Sequence, residues 1–192
     1  MAFKNFKLET DADGIALVTW DIPGRSMNVL DETSTTELEE ILKQTTADAA
    51  VKGVVITSSK EAFCAGADLS MLEGMNVAYA KMLKEKGEEA ANQMLFEQSR
   101  RFSLVLRGIE TCGKPWAAAI NGLALGGGFE VTLSCHHRVA AENPKTRLGL
   151  PEVKVGLFPG AGGTQRVPRI VSPQDAMQLL LKGEAINLAR AK

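Results

Sequence analysis

Three consecutive glycines precede a carboxylate in the stretch Asn121-Gly122-Leu123-Ala124-Leu125-Gly126-Gly127-Gly128-Phe129-Glu130. Adjacent glycines let the backbone approach a ligand closely and direct its N–H groups at it. A helix beginning there would add the positive end of its dipole to those donors. Alone, a Gly-Gly-Gly run is more often a tight turn. Its position between the apolar segment Trp116–Ile120 and Glu130 favours a site that holds a negatively charged oxygen.

Two other stretches offer the remaining parts of such a site: Phe63-Cys64-Ala65-Gly66-Ala67-Asp68-Leu69 and Gly149-Leu150-Pro151-Glu152. If the N–H groups of Ala67 and Gly127 converge, they can bind one carbonyl oxygen as it gains charge, as in a thioester enolate. Glu130 and Glu152 could then hold a water, one acting as base and the other as acid. Taken singly, Glu152 is better explained as a solvated loop residue, and Asp68 as the cap of a following helix.

Composition restricts the class of protein. The chain has 192 residues, 45% of them hydrophobic and 23% charged, which suits one globular domain. The net charge of −1 provides no general attraction to nucleic acid or to an anionic membrane. We expect no membrane span and no secretory signal. The three cysteines, Cys64, Cys112 and Cys135, are odd in number and irregularly spaced, which indicates a reducing compartment, and hence the cytoplasm.

Short strands alternate with helices along the chain, which predicts an α/β fold. The predicted helices begin near Asp31, about Glu88, Gly127 and Ser172, and Ala185 starts another. Leu95, Phe102, Leu106 and Ile109 are expected to share one face of the second of these helices. The predicted strands are Gly14–Trp20, Val51–Thr57, Trp116–Ile120 and His137–Ala141. Adjacent residues His136 and His137 would point to opposite faces of a strand, so they are not expected to share a metal.

These motifs resemble the crotonase (enoyl-CoA hydratase/isomerase) superfamily over nearly the whole chain. The segment Phe63–Leu69 resembles the family's Ala-Gly-x-Asp turn, and Asn121–Glu130 matches its Asn-Gly-x-Ala-x-Gly-Gly-Gly-x-Glu segment. Pro151-Glu152 and the run Pro159–Arg166 match in order. The Pro-Gly-x-x-Met-Asn-x-Leu pattern at Pro23–Leu30 is most similar to the hydratase portion of the multifunctional fatty-acid β-oxidation α-subunits.

The resemblance implies a fold and a set of residue roles. The fold would be a crotonase-type spiral of ββα units, forming one domain over residues 1–192 that is incomplete at its C-terminus, where the family's further helices cover the acyl pocket. Glu130 and Glu152 would be the catalytic pair, and Ala67 and Gly127 the oxyanion hole. The remaining substrate contacts would be Arg25 and Met27, near the phosphates and pantetheine, and Ala65, Asp68 and Leu69, near the adenine end of coenzyme A.

The expected activity is hydration of trans-2-enoyl-CoA to 3-hydroxyacyl-CoA in fatty-acid β-oxidation. No metal and no cofactor are expected, since coenzyme A is part of the substrate. The expected partners are an acyl-CoA substrate and further copies of the chain or a larger β-oxidation complex. Δ3–Δ2 enoyl-CoA isomerisation is one alternative, although one carboxylate can suffice for it. The other is a non-catalytic fragment that only binds acyl-CoA or a partner.

Overall fold

The computed structural model describes residues 2–191, which form a five-stranded sheet packed against helices. The order of the sheet is β1-β2-β3-β4-β6, with β1 antiparallel to β2 and all other neighbours parallel. Its strands are β1 (Phe6–Thr10), β2 (Ile15–Trp20), β3 (Gly53–Ser58), β4 (Trp116–Ile120) and β6 (His137–Ala140). A second sheet pairs β5 (Ala124–Leu125) in parallel with β7 (Leu148–Gly149).

Within residues 2–191, four helices lie in the connections between these strands and three follow the last strand, β7. They are α1 (Glu32–Ala47), α2 (Leu69–Lys86), α3 (Glu88–Thr111), α4 (Gly127–Ser134), α5 (Gly163–Ile170), α6 (Pro173–Leu181) and α7 (Leu188–Ala191), with a 3₁₀ turn at Glu152–Val155. The predicted α/β alternation is confirmed. Caps predicted from sequence are present, since the Asp68 carboxylate accepts the Ser70 N–H and the Ser172 hydroxyl accepts the Asp175 N–H.

The core lies between the sheet and the helices. Val54 and Ile56 of β3 are buried on one face of the sheet, whereas Val55 and Thr57 on the other face are only partly buried. Trp20 and Trp116 are fully enclosed, and Phe6 stacks on Trp20 with ring centroids 5.0 Å apart. This core fixes the ends of β3 and β4, from which the chain continues into the two glycine-rich turns.

Three local details differ from the simplest interpretation of the sequence pattern. Leu95, expected on the same face of α3 as Leu106 and Ile109, is 37% exposed, whereas Leu106 and Ile109 are buried. The helix α2, which packs against α3, has no buried residue. The glycine run does not follow β4 directly, because the short strand β5 intervenes. Ile186 is not helical; its N–H and carbonyl bond to Leu148 at 2.8 and 3.0 Å, so this segment extends the small sheet.

Several large apolar side chains are exposed on the surface. Met177 and Leu181 of α6 are exposed, at 58% and 65%, together with Phe158 at 75%. Within residues 2–191, no helix is both long enough and apolar enough to cross a membrane.

Candidate active site

The small sheet brings the two glutamates together. Leu125 of β5 pairs with Gly149 of β7, and the Gly126 N–H donates to the Gly149 carbonyl at 2.9 Å. Because the strands are parallel, the segments that follow them leave at the same edge. One segment becomes the first turn of α4 and carries Glu130; the other leads through Pro151 to Glu152. The sequence predicted this pair of glutamates but not the pair of strands that aligns them.

Glu130 is buried, with 2% of its surface exposed. Its Oε1 accepts hydrogen bonds from the Ala161 N–H at 2.9 Å and the Gly163 N–H at 2.7 Å. Within the described chain, Oε2 makes no hydrogen bond. Burial raises the pKa of Glu130 to about 7, and repulsion from Glu152 adds to the rise, against the opposing effect of the two amides. The side chain is therefore poised to exchange a proton near neutral pH.

Glu152 lies at the start of the 3₁₀ turn and is partly buried. Its Oε2 is enclosed and has no hydrogen-bond partner among the described residues. Burial raises its pKa above the ordinary value. An unpaired buried carboxylate oxygen is unfavourable unless a proton or a ligand satisfies it. The charge of Glu152 also raises the pKa of Glu130, so ionisation of one carboxyl group disfavours ionisation of the other.

The two glycine-rich turns meet beside this pair. Cys64 bridges to Ala124, and the Leu125 N–H donates to the Cys64 carbonyl at 3.0 Å. Gly66 has a φ of 103°, and a Cβ there would lie 3.3 Å from the Leu125 carbonyl oxygen. The close approach of the two backbones therefore requires glycine.

The proposed oxyanion donors, Ala67 and Gly127, belong to these adjoining turns. Neither N–H donates a hydrogen bond within residues 2–191, whereas the neighbouring Gly126 and Asp68 amides both do. Gly127 is the first residue of α4, so its N–H also lies at the positive end of the helix dipole. Two unused donors thus lie in turns that touch each other.

The residues predicted to contact coenzyme A form one edge of this region. Arg25 pairs with Asp68 at 2.6 Å, and the Arg25 side chain is 46% exposed. The hydrogen bonds from Ser70 and the ion pair with Arg25 hold the pKa of Asp68 below its ordinary value. Met27 and Leu69 are exposed, at 44% and 67%. The Ala65 N–H donates to Asn28, which ties this turn to the Arg25 loop.

Asn28 is a supporting residue that the sequence reasoning missed. It is fully buried, and its Oδ1 accepts the Ile22 N–H at 3.0 Å. Its Nδ2 donates to the Trp20 carbonyl, the Ser58 hydroxyl and the Phe63 carbonyl. A buried amide with satisfied donors and acceptor fixes the segments it joins. The asparagine of the Met-Asn-x-Leu pattern was the available signal.

A cleft of about 420 Å³ opens between α1, α2 and α3. Its apolar lining includes Met71, Met75 and Phe102, with Arg101 and Glu32 at polar positions. The Phe102 ring lies 3.5 Å from where a Cβ on Gly127 would stand. One residue that lines the cleft therefore packs against Gly127, the first residue of α4.

The cysteines and histidines could also carry chemistry, and the structure shows the surroundings of each. Cys64 and Cys135 are buried free thiols, and burial raises the pKa of each to about 12. His136 accepts the Trp116 N–H at 3.1 Å, and it lies on the exposed surface beside His137. No cluster of three or more potential metal ligands occurs within residues 2–191.

Comparison with known proteins agrees with this architecture. The family model described as enoyl-CoA hydratase/isomerase matches residues 10–192, and the chain belongs to that family. The enoyl-CoA hydratase structure from Bacillus anthracis is 33% identical with a TM-score of 0.82, covering 98% of this chain and 66% of that one. An enoyl-CoA hydratase structure from Geobacillus kaustophilus is 25% identical with a TM-score of 0.83, covering 100% and 66%. The predicted crotonase-type fold is confirmed.

Among curated relatives, the chain is similar to the fatty acid oxidation complex subunit alpha of two bacteria. It is 41% identical to the Shewanella halifaxensis protein and 42% identical to the Idiomarina loihiensis protein, each over 190 residues. The match covers 98% of this chain and 25% of each relative, so the chain spans about a quarter of their length. The predicted similarity to the hydratase portion of these α-subunits is confirmed.

Proposed function

We propose that this protein hydrates trans-2-enoyl-CoA thioesters reversibly to 3-hydroxyacyl-CoA. The observation that carries the proposal is the pairing of Glu130 and Glu152 beside two unused backbone donors. Both carboxyl groups have raised pKa values. Glu152 Oε2 is buried without a partner among the described residues, and both hydrogen bonds to Glu130 go to its Oε1. These are the parts needed to move two protons and to stabilise one developing negative charge.

In the proposed mechanism, the thioester oxygen of the substrate accepts hydrogen bonds from the backbone N–H groups of Ala67 and Gly127. Attack of water on C3 moves electron density through the double bond onto that oxygen, giving an enolate. The two donors are fixed by the fold before reaction, so they stabilise the enolate more than the neutral thioester. The contact between the two turns supports this assignment.

Proton transfer completes the reaction. The ionised carboxylate of the pair removes one proton from water as its oxygen bonds to C3. The protonated partner delivers its proton to C2, and the product gains OH at C3 and H at C2. The pair still holds one proton, now on the other member. In the reverse direction the two residues exchange roles, as reversibility requires.

The surroundings support an acyl-CoA substrate. Arg25 lies on the exposed loop beside the Ala65–Leu69 turn and offers a cation for phosphates. Exposed Met27 and Leu69 offer apolar surface for the pantetheine and adenine portions. The cleft beside Phe102 and Gly127 has the position and the apolar lining needed for an acyl chain.

We further propose that the reaction serves fatty-acid β-oxidation in the cytoplasm, within a larger assembly. The similarity to fatty acid oxidation complex α-subunits supports the pathway and the assembly. Exposed apolar residues Phe158, Met177 and Leu181 supply surface for contacts with other subunits or further copies of the chain. Buried free thiols support a reducing compartment.

Turnover assays test the proposal. Crotonyl-CoA is mixed with the purified protein, and loss of the enoyl-thioester absorbance is followed together with chromatographic detection of 3-hydroxybutyryl-CoA. A 3-enoyl-CoA is assayed in parallel for isomerisation, and calorimetry measures thioester binding. Hydration is the expected result. Isomerisation without hydration would favour the isomerase, and binding without either reaction would favour a non-catalytic role.

A further inference from the structure

Arg166 of α5 is anchored to the end of α3 by a two-pronged ion pair. Its Nε and Nη2 donate to the two carboxylate oxygens of Glu110 at 2.7 and 3.1 Å. The Arg166 side chain is only 12% exposed, and a guanidinium fork on a carboxylate fixes the orientation of both groups. Burial alone would raise the pKa of Glu110, but hydrogen bonds from Arg166 and Arg107 outweigh it and lower that pKa. Glu110 is therefore a charged and well-placed anchor.

The remaining guanidinium nitrogen reaches the loop that holds Glu130. Arg166 Nη1 donates to the Ala161 carbonyl at 2.7 Å. Along the backbone, that carbonyl lies between the N–H groups of Ala161 and Gly163. Both of these N–H groups donate to Glu130 Oε1. Glu110 is thus connected to Glu130 through the Arg166 side chain and the backbone of the Ala161–Gly163 loop.

Gly162 makes this arrangement possible. Its φ is 101°, and a Cβ there would stand 2.5 Å from Arg166 Nη1. A side chain at this position would therefore displace the guanidinium as well as strain the backbone. The glycine leaves the space through which Arg166 folds back over the loop.

We propose that Arg166, held by Glu110, is a positioning residue that fixes the Ala161–Gly163 loop. The loop then directs two amides at one oxygen of Glu130 and leaves the other oxygen free for proton transfer. This role rests on the proposed hydratase function, because it assumes that Glu130 exchanges a proton with substrate or water. Arg166 acts through the loop, not on the reacting atoms.

Loss of Arg166 should move the pH dependence of the activity to higher pH. Within the described chain, the charged groups that act on Glu130 are Glu152, which raises its pKa, and Arg166, which lowers it; the two loop amides also lower it. Removing Arg166 takes away an attractive charge and loosens both amide donors. The pKa of Glu130 therefore rises, and the limbs of the pH–activity profile set by the glutamate pair move to higher pH.

The test measures kcat and KM for crotonyl-CoA across the pH range in Arg166→Met, Arg166→Lys and Glu110→Gln. Arg107→Met is the matched control, because Arg107 also pairs with Glu110, at 3.1 Å, but is 68% exposed and makes no bond to the loop. For Arg166→Met we expect kcat to fall about 10- to 100-fold. KM should change little, and the profile should move upward by about half a pH unit or more.

The conservative variants grade the effect. Arg166→Lys keeps the charge but lacks the fork, so it should lose less kcat and shift the profile less than Arg166→Met. Glu110→Gln should change both quantities in the same direction as Arg166→Met. Arg107→Met should leave both unchanged.

Each outcome has one interpretation. If the parent is inactive, the proposed hydratase function fails and the positioning role fails with it. If the parent is active but Arg166→Met matches Arg107→Met in kcat and in pH profile, the positioning role alone is overturned. If circular dichroism shows that Arg166→Met does not fold, Arg166→Lys decides: reduced kcat with an upward-shifted profile supports the role, and values equal to those of Arg107→Met overturn it.

Discussion

Gly126 lies against Gly66, so that a Cβ on Gly126 would stand 3.5 Å from the Gly66 Cα. The same Cβ would lie 3.1 Å from Glu152 Oε1. One glycine therefore adjoins both the opposite turn and a proposed catalytic carboxylate, while its carbonyl accepts the Glu130 N–H at 2.9 Å. The backbones of the two glycine-rich turns are in close contact at this point. This contact holds the proposed acid–base pair and the proposed oxyanion donors near each other.

Replacing either proposed catalytic carboxylate by its amide should abolish most hydration without unfolding the protein. Glu130→Gln and Glu152→Gln should each lower kcat about 100-fold or more, because proton transfer is lost while shape and hydrogen bonding are kept. The double variant should be little worse than either single one, since both act on one water. Steady-state kinetics and circular dichroism measure this, with exposed Glu184→Gln as the control. Near-parental turnover in either single variant removes that residue from the mechanism.

Ala67→Pro should reduce kcat through loss of one N–H. That amide has no hydrogen-bond partner among the described residues, so no structural hydrogen bond is lost with it. Removing one oxyanion donor typically lowers kcat about 10²- to 10³-fold. Ala67→Gly, which keeps the N–H, is the matched control and should retain most activity. A folded Ala67→Pro variant with the kcat of Ala67→Gly would show that this amide is not an oxyanion donor.

The buried Glu130 should make the protein less stable as pH rises. Its pKa lies at about 7 in the folded protein against an ordinary 4.5, so the folded state binds the proton more tightly between these values. The free energy of unfolding therefore falls as pH rises through this window, by at most about 3.5 kcal/mol at about 1.4 kcal/mol for each pKa unit.

Glu130→Gln, which cannot ionise, should escape this loss. In urea unfolding it should resemble the parent near pH 4.5 and be more stable than the parent near pH 8. Glu184→Gln should show a difference from the parent that does not depend on pH. A pH-independent difference for Glu130→Gln as well would mean that Glu130 titrates normally.

Two glycines should respond to alanine with opposite signs. A Cβ on Gly128 would stand 2.5 Å from the Cys64 Cβ and 2.9 Å from the Cys64 carbonyl oxygen, so Gly128→Ala should destabilise the fold by about 1–3 kcal/mol. Gly74 lies inside α2 with open space around the Cβ position, and Gly74→Ala should stabilise by about 0.5–1 kcal/mol. Thermal unfolding of both variants tests this pair, and equal effects would contradict the packing described for Gly128.

Hydration should survive exhaustive chelation and need no added nucleotide. The proposed steps use only carboxylates and backbone amides, and the described residues contain no cluster of three or more potential metal ligands. Turnover is measured after dialysis against EDTA, with and without added zinc or magnesium. Activity that disappears with EDTA and returns with either metal would contradict the mechanism.

The sequence determined the elements that depend on local patterns. The β-branched run at Val54–Ile56 predicts a buried strand, and Ser172-Pro173 predicts the start of a helix. Both are present because periodicity and capping are properties of neighbouring residues. The linear order of the glycine motifs and of Glu130 and Glu152 was also enough to indicate the family. The sequence therefore named the candidate site residues without showing how they meet.

Contacts between residues far apart in the chain settle which of those residues touch and what supports them. The two-residue strands β5 and β7 are too short to leave a periodic pattern, yet their pairing places Glu152 beside Gly126. Leu95 fits the apolar stripe of α3 but is 37% exposed, whereas Leu106 and Ile109 on the same stripe are buried. The raised pKa of Glu130, the buried Asn28 and the Glu110–Arg166 pair depend on residues far apart in the chain. Their physical cause is burial and contact, which exist only once the chain has folded.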